Sequence, residues 1–548
     1  MPLPLLPSAL RDTFARDRLP PAEQWPQLIF ELPELQFPDQ LNCASALLDA
    51  RVAAGEGDRL AIQGEGVRWT YAQLQEQVNR IAHELVLGMG LVSGNRVLLR
   101  GANTPMLAAC WLGVVKAGGI AVGSMPLLRA KELKQIIDKA EITHALCDAR
   151  LAEELTLARA DGGAATLREV ALFHSEAADS LEHRAAHRSS HFDALPTSAD
   201  DVCLMAFTSG TTGMPKATMH FHRDVMAACA CWPAHVLKPQ RDDVFIGSPP
   251  LAFTFGLGGL LLFPMSVGAS TVLIEKATPD TLPAAIERYR ATVCFTAPTS
   301  YRAIALAGAQ GGSAAPDLRS LRKCVSAGEA LPAATRKLWR ERTGIEIIDG
   351  IGSTEMLHIF ISADEAHARP GATGVPVPGY QAVVLDEEGQ PVPSGQVGRL
   401  AVRGPTGCKY LADDRQRQYV QHGWNLTGDA YLVDSDGQFV YQARTDDMII
   451  SGGYNIAGPE VESALLLHPA VAECGVVGQA DDDRGQIVKA FVVLKPGHTG
   501  DAAMTKALQD FVKQTIAPYK YPRAIEYRDQ LPRTETGKLQ RFRLRQPA

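Results

Sequence analysis

The sequence predicts an α/β fold. A large N-terminal domain of layered α/β subdomains, with a β-rich subdomain, precedes a small mobile α+β C-terminal domain. Three observations carry this reading. Short apolar runs alternate with helical patterns from residue 70 to residue 342, which argues for strands covered by helices. Residues 373–401 are richer in β-branched residues, glycine and proline, as antiparallel strands and their turns are. The character changes near Arg444, and the tail after it alternates strands and helices of its own. Roughly a hundred residues suffice for a separate core. The implied units are 1–443, a hinge at 444–447, and 448–548.

The elements follow in order. Thr70-Tyr71 opens a helix whose Leu74, Val78, Ile81, Ala82 and Leu85 share one face. Residues 96–99 read as a strand, 106–117 as a helix and 120–122 as a strand. The polar, His-rich 176–198 stretch reads as a surface excursion. Residues 202–207 and 217–221 read as two strands flanking a loop. The uncharged 245–274 run contains Pro249, Pro250 and Pro264 and five glycines. A membrane span needs about 20 continuous helical residues, so this run reads as a loop, a buried helix and a core strand at 270–274. A helix at 279–290, strands at 291–297 and 323–326, and a helix at 332–342 continue the alternation. The tail alternates over 460–467, 471–478, 488–494 and 502–515.

Composition narrows the function. The 548 residues are 46% hydrophobic and 21% charged, which excludes global disorder. A net charge of −7 without a long basic run gives nucleic-acid binding no electrostatic support. Ten cysteines are scattered without a C-x-x-C pair. That argues against zinc and disulfides and for reduced thiols in the cytoplasm. The N-terminus, with Pro2, Pro4 and Pro7, lacks the basic-then-apolar order of a secretory signal.

The most informative stretch is Thr208-Ser209-Gly210-Thr211-Thr212-Gly213-Met214-Pro215-Lys216. Its glycines let backbone N–H groups approach a ligand closely. Its hydroxyls and terminal lysine suit polyphosphate. The glycines are too close together for the G-x-x-x-x-G-K-[ST] loop. Gly352-Ser353-Thr354-Glu355 follows a short apolar strand. Its hydroxyls and carboxylate suit a phosphate and Mg²⁺, which takes oxygen ligands. The plain alternative is a cap on a helix that follows. Ser326-Ala327-Gly328-Glu329-Ala330 lies between strand and helix, where small residues let a flat ring lie on backbone; by itself a tight turn is the plainer reading. Asp429, after Thr427-Gly428, offers a carboxylate to ribose hydroxyls; a turn aspartate is the alternative. Arg444-Thr445-Asp446-Asp447, followed by Gly452-Gly453-Tyr454, suits a hinge. Thr534-Glu535-Thr536-Gly537-Lys538 places a lysine on a glycine-containing loop.

These motifs, in this order and spacing, resemble the adenylate-forming superfamily of acyl- and aryl-CoA synthetases over nearly the whole chain. Residues 326–331, 349–360 and 446–453 resemble the benzoate-type aryl-CoA ligases, and the whole chain is most similar to 2-aminobenzoate–CoA ligases. The resemblance implies ATP-dependent activation of an aromatic carboxylate, then transfer to coenzyme A. It implies that Lys538 stabilises charge at the α-phosphate and that the loop from Thr208 to Lys216 holds the outer phosphates. Glu355 and Thr208 are the implied Mg²⁺ residues. Ala327, Gly328, Glu329, Asp349, Gly350, Gly352, Ser353 and Thr354 line the nucleotide. Asp429 and Arg444 hold the ribose, Asp446 is the pivot, and Gly452, Gly453 and Tyr454 line the CoA channel. Phe221, His222, Phe253, Thr254, Ala297, Ser326, Ala327, Gly352 and His358 form the implied acyl pocket. Many relatives carry a histidine after the Pro249-Pro250 position; here Leu251-Ala252-Phe253-Thr254-Phe255-Gly256 has none. Loading of a separate carrier protein, another carboxylic acid and a silent nucleotide-binding relative are the alternatives. Retention of Lys538, Glu355, Asp429 and Arg444 argues against the last. The expected partners are small molecules, with no membrane and no nucleic acid. The sequence allows a homodimer without identifying its surface.

Overall fold

The computed structural model describes residues 5–208, 215–309, 316–451, 454–481, 484–516, 518–533 and 539–545. Two α/β sheets form its main body. A nine-stranded sheet has at its centre the parallel strands Ile347–Gly352, Lys323–Ala327, Val293–Thr296, Val244–Gly247, Ser270–Val272 and Leu60–Gly64, in that spatial order. A six-stranded sheet runs Glu169–Phe173, His144–Asp148, Arg96–Arg100, Ile120–Ser124, Val202–Thr208, Lys216–Phe221, the last strand antiparallel.

Two helices show why these layers close. Thr70 caps Tyr71–His83 through a capping box with Gln73, satisfying otherwise orphaned backbone donors. Pro105–Lys116 starts on the Thr104 cap with proline at its first position, and all but one of its residues are buried. A helix apolar nearly all round has to be covered on every side. Its side chains share one core with Val97 and Leu99 of the smaller sheet and with Phe245 and Phe295 of the larger. Its one charged residue, Lys116, meets Asp49 and Asn79.

A five-stranded antiparallel sheet follows, built on Gln381–Leu385, Gly398–Arg403, Trp424–Val433 and Phe439–Arg444. The last sheet contains Val471–Asp481 and Gly485–Leu494, with helices Gly458–Leu465 and Ala502–Thr515. Ile456, Val461, Val476, Ala490, Phe491 and Leu508 are among the buried residues of this unit. Among the described residues no helix is long and apolar enough to cross a membrane.

Three expectations change. No helix follows Gly352: residues 353–358 turn, with Leu357 at φ 69°, into the strand Ile359–Ser362. Asp429 is not in a turn but within Trp424–Val433, opposite Arg444. The 176–198 excursion carries a short helix, Leu181–Ala186, whose Leu181 is buried.

Candidate active site

Four adjacent parallel strands end at one edge of the large sheet. Beyond those ends lie Ser248, Ala297, Gly328-Glu329 and Ser353-Thr354-Glu355. The carboxyl edge of a parallel sheet is where ligands bind in open α/β folds. Gly328 has φ 91°, a conformation that glycine adopts without a Cβ penalty. Ser326 and Asp349 are register partners. The Ser326 hydroxyl and Asp349 Oδ1 are buried without a hydrogen-bond partner among the described residues. Burial pushes the Asp349 carboxyl up to about 7, against opposing pulls from Arg336 and the Gly350 backbone.

The hairpin from Val202 to Phe221 brings a second set of groups to this edge. Thr208 and Lys216 are abreast at the end of its ladder. Lys216 Nζ donates to the Tyr410 hydroxyl at 2.9 Å. That hydroxyl donates to Glu355 Oε1. Nζ and Oε1 are 3.7 Å apart. Tyr419 lies edge-on to Tyr410, and its hydroxyl is 3.3 Å from Ser353 Oγ. Burial, then the Glu355 charge, pushes both phenols well above their ordinary range, so both remain donors at neutral pH. Thr208 Oγ1 is buried without a partner among the described residues.

Long-range contacts fix this cluster. Tyr410 sits beside the hairpin through a bridge to Thr218, and Met219 N–H donates to Lys409 O. His220 Nε2 bonds the Thr354 carbonyl at 2.8 Å. Beneath it, Lys409 Nζ reaches Asp224 Oδ2 at 2.9 Å, both side chains fully buried. Nearby ionic and hydrogen-bonding partners overcome burial and hold the Asp224 carboxyl well below the usual range. On the next domain edge, Asp429 Oδ1 and Arg444 Nη1 are 3.2 Å apart, and Arg444 also donates to the Thr427 carbonyl.

An aromatic group surrounds His358. Its ring centroid is 4.5 Å from that of Phe263, 5.5 Å from Trp232 and 5.6 Å from Phe255. Phe295 packs on Trp232 and Phe255. A Cβ on Gly258 would lie 2.5 Å from the imidazole, so glycine lets this backbone approach the ring. His358 is 5% exposed; neither ring nitrogen has a side-chain partner among the described residues, and the Phe255 backbone is the polar group that opposes the effect of burial. Burial depresses its pKa to about 3. The ring is therefore neutral, with one donor and one acceptor.

With this geometry in place, the comparisons are specific. The "AMP-binding enzyme" family model matches residues 49–410, and the "AMP-binding enzyme C-terminal domain" model matches 460–538. The chain belongs to the AMP-binding enzyme family. Within that family it is 36% identical to a benzoate–CoA ligase of Thauera aromatica, over 94% of this chain and 97% of that protein. It is 32% identical to a 4-hydroxybenzoate–CoA/benzoate–CoA ligase of Rhodopseudomonas palustris, over 92% and 94%. An anthranilate CoA ligase solved with anthranoyl-AMP superposes with TM-score 0.88 at 35% identity, covering 94% of this chain and 98% of that one. A benzoate CoA ligase from Burkholderia xenovorans gives 0.84 at 32% identity, covering 92% and 100%.

The structure of this AMP-binding enzyme gathers many residues singled out in the sequence. Thr208, Lys216 and Glu355 share one cluster with Ser353, and Ala327, Gly328, Asp349, Gly350, Gly352 and Thr354 lie along the same edge. Ser209, Gly210, Thr211, Thr212, Gly213, Gly452, Gly453 and Lys538 lie outside the described residues. Asp446 is in a single turn of 3-10 helix, and the Tyr454 backbone pairs with Ser451. Phe253 caps the helix that Thr254 begins. Phe221 does not join the aromatic group. It packs in a different core with Ala217 and Met219, 5.9 Å from the Trp25 ring and under the Lys409 ammonium. Strand alternation explains this, since residues two apart share a face. His222 Nδ1 accepts the Cys43 backbone N–H at 3.1 Å. With Cys43 and Cys203 it forms the group whose donor atoms lie within 4.8 Å of one another. That hydrogen bond already engages the nitrogen's lone pair, so the group reads as packing. Sequence reasoning missed Tyr410, Tyr419, Trp232, Phe263 and Phe295. The run Cys408-Lys409-Tyr410 carries no local signal, because its partners lie far away in the chain.

Proposed function

We propose that this protein is an ATP-dependent aryl-CoA ligase acting on 2-aminobenzoate. The observation that carries the substrate is His358: neutral, enclosed by aromatic rings, with no side-chain partner at either nitrogen among the described residues. Flat apolar walls suit a benzene ring. An imidazole with one donor and one acceptor suits a ring substituent able to do both, as an amino group is. The relatives that act on benzoate and anthranilate support the same class.

The substrate carboxylate attacks the α-phosphorus of ATP and pyrophosphate leaves. The thiol of CoA then attacks the acyl carbon and AMP leaves. Lys538 stabilises the anionic oxygens of the first step. Residues 208–213 and Lys216 hold the outer phosphates, Asp349 accepts from the adenine amino group, and Asp429 with Arg444 holds the ribose. The orphaned Thr208 hydroxyl, on the residue paired with Lys216, and the Glu355 carboxylate that Lys216 approaches fit Mg²⁺, an ion that takes oxygen ligands. Bound there with ATP, it neutralises phosphate charge. The unit 448–548 turns about Asp446 within the hinge 444–447 relative to 1–443. Gly452, Gly453 and Tyr454 then line the path of CoA. Phe253, Thr254, Ala297, Ser326, Ala327 and Gly352 complete the acyl pocket.

Pyrophosphate release with ATP and Mg²⁺ tests this across benzoate, 2-aminobenzoate, hydroxybenzoates, phenylacetate, cinnamates and fatty acids, with and without CoA. Turnover led by 2-aminobenzoate, with thioester formed only with CoA, is expected. Preference for fatty acids or cinnamates overturns the pocket, and silence with every acid overturns the activity.

A further inference from the structure

We infer that Arg302 is a positioning residue that clamps the C-terminal unit in the arrangement used for adenylation. The inference rests on the ligase reading above and adds a residue to which that reading gives no role.

Arg302 lies on the helix Pro298–Ala309, directly after the central strand Val293–Thr296. Its guanidinium crosses to the last sheet. Nε donates to the Ala472 carbonyl at 3.2 Å, and Nη2 reaches the Val471 carbonyl at 3.4 Å. The target is shaped for this. Val471 pairs with Leu494 and Glu473 with Val493, so Ala472 is the extra residue of a bulge. A bulge takes a residue out of the regular ladder, and here its carbonyl meets a cation.

A second contact comes from the bend after the neighbouring strand Lys323–Ala327. Glu329 Oε1 accepts the Leu539 backbone N–H at 3.1 Å. The same carboxylate is 3.7 Å from Arg533, which also binds Glu473 at 2.8 Å. Arg533 and Leu539 are themselves bridged. One carboxylate at the nucleotide edge thus meets both described ends of the 534–538 segment, which contains Lys538. Arg302 holds the sheet that carries this segment, on the residue next to Glu473. Rotation of the C-terminal unit about residue 446 breaks both contacts together. Arg302 therefore stabilises the arrangement in which Leu539 meets the nucleotide edge, and opposes the other.

The test separates the two half-reactions in the full-length enzyme. Adenylation is read as ATP–pyrophosphate exchange with 2-aminobenzoate and benzoate. Thiolation is read as thioester formed from supplied acyl adenylate and CoA. Arg302→Gln is expected to lower exchange by about tenfold, the loss of one charge-assisted hydrogen bond, while thiolation is unchanged or faster. Arg302→Lys, which keeps the positive charge that glutamine lacks, is expected to recover part of the exchange. Circular dichroism and the melting temperature identify any unfolded variant; Arg302→Lys then carries the test alone, through a partial loss confined to exchange. Equal loss of both half-reactions, or no loss in either variant, overturns the clamp. Wild-type enzyme without exchange on any aryl acid overturns the ligase reading itself, which is a distinguishable failure.

Discussion

Tyr410→Phe removes one oxygen atom from the centre of the charged cluster. In the wild type that hydroxyl keeps Lys216 and Glu355 apart at 3.7 Å by bonding both. Without it, a carboxylate and an ammonium on a partly buried edge close into a direct pair. Fold stability falls little, by about 1 kcal/mol, because the new pair replaces much of what is lost. Activity falls more. On the proposed roles of Lys216 at the phosphates and Glu355 at the metal ion, the direct pair withdraws both charges from their ligands. One hydrogen bond to a charged group is worth about 1.5–3 kcal/mol. The middle of that range corresponds to a roughly 40-fold loss. The loss is expected in kcat/KM for ATP, measured by pyrophosphate exchange at saturating aryl acid, with the KM of the acid unchanged. A change below about threefold in kcat/KM for ATP refutes the bridging role. A selective loss of acid affinity places Tyr410 in the wrong half of the site.

Three further perturbations follow from buried groups. Asp349 has its folded pKa raised to about 7 from 3.8. It binds its proton more tightly folded than unfolded, so its contribution to stability falls as pH climbs through that window. Each pH unit of separation is worth about 1.4 kcal/mol. Asp349→Asn is therefore expected to stabilise the nucleotide-free enzyme increasingly between pH 4 and 7 and to weaken ATP binding; urea midpoints that track the wild type at every pH refute it. Lys409→Met leaves Asp224 charged and buried, a loss of about 3–5 kcal/mol, and adding Asp224→Asn is expected to recover part of it in the same unfolding assay. His358→Leu removes two buried nitrogens without a side-chain partner, so stability is expected to hold or rise. The preference for 2-aminobenzoate over benzoate is expected to fall by about tenfold, the order of one neutral hydrogen bond; an unchanged ratio of kcat/KM values refutes the contact.

What the sequence made legible was local. The hairpin around residues 209–214 follows from two apolar runs flanking a loop, and the helix Tyr71–His83 follows from its period and its Thr70 cap. What it concealed was decided at a distance. Gly352-Ser353-Thr354-Glu355 carries a helix-start pattern, yet no helix forms. His220 takes the Thr354 carbonyl, and Tyr410 and Lys216 take the Glu355 carboxylate. Partners from the hairpin and from residue 410 compete with the local cap. Phe221 shows the same limit in a strand, where a displacement of one residue exchanges the two faces. Its neighbour His220 faces the nucleotide edge, while Phe221 faces Trp25. The aromatic group around His358 draws on residues from 232 to 358, assembled by packing that no window of sequence displays. These concealed residues surround chemistry that motifs had already located. Motif residues identify which reaction the edge supports. The side chains that enclose His358 and bridge to the last sheet, Trp232, Phe263 and Arg302 among them, become visible only once the sheets are packed.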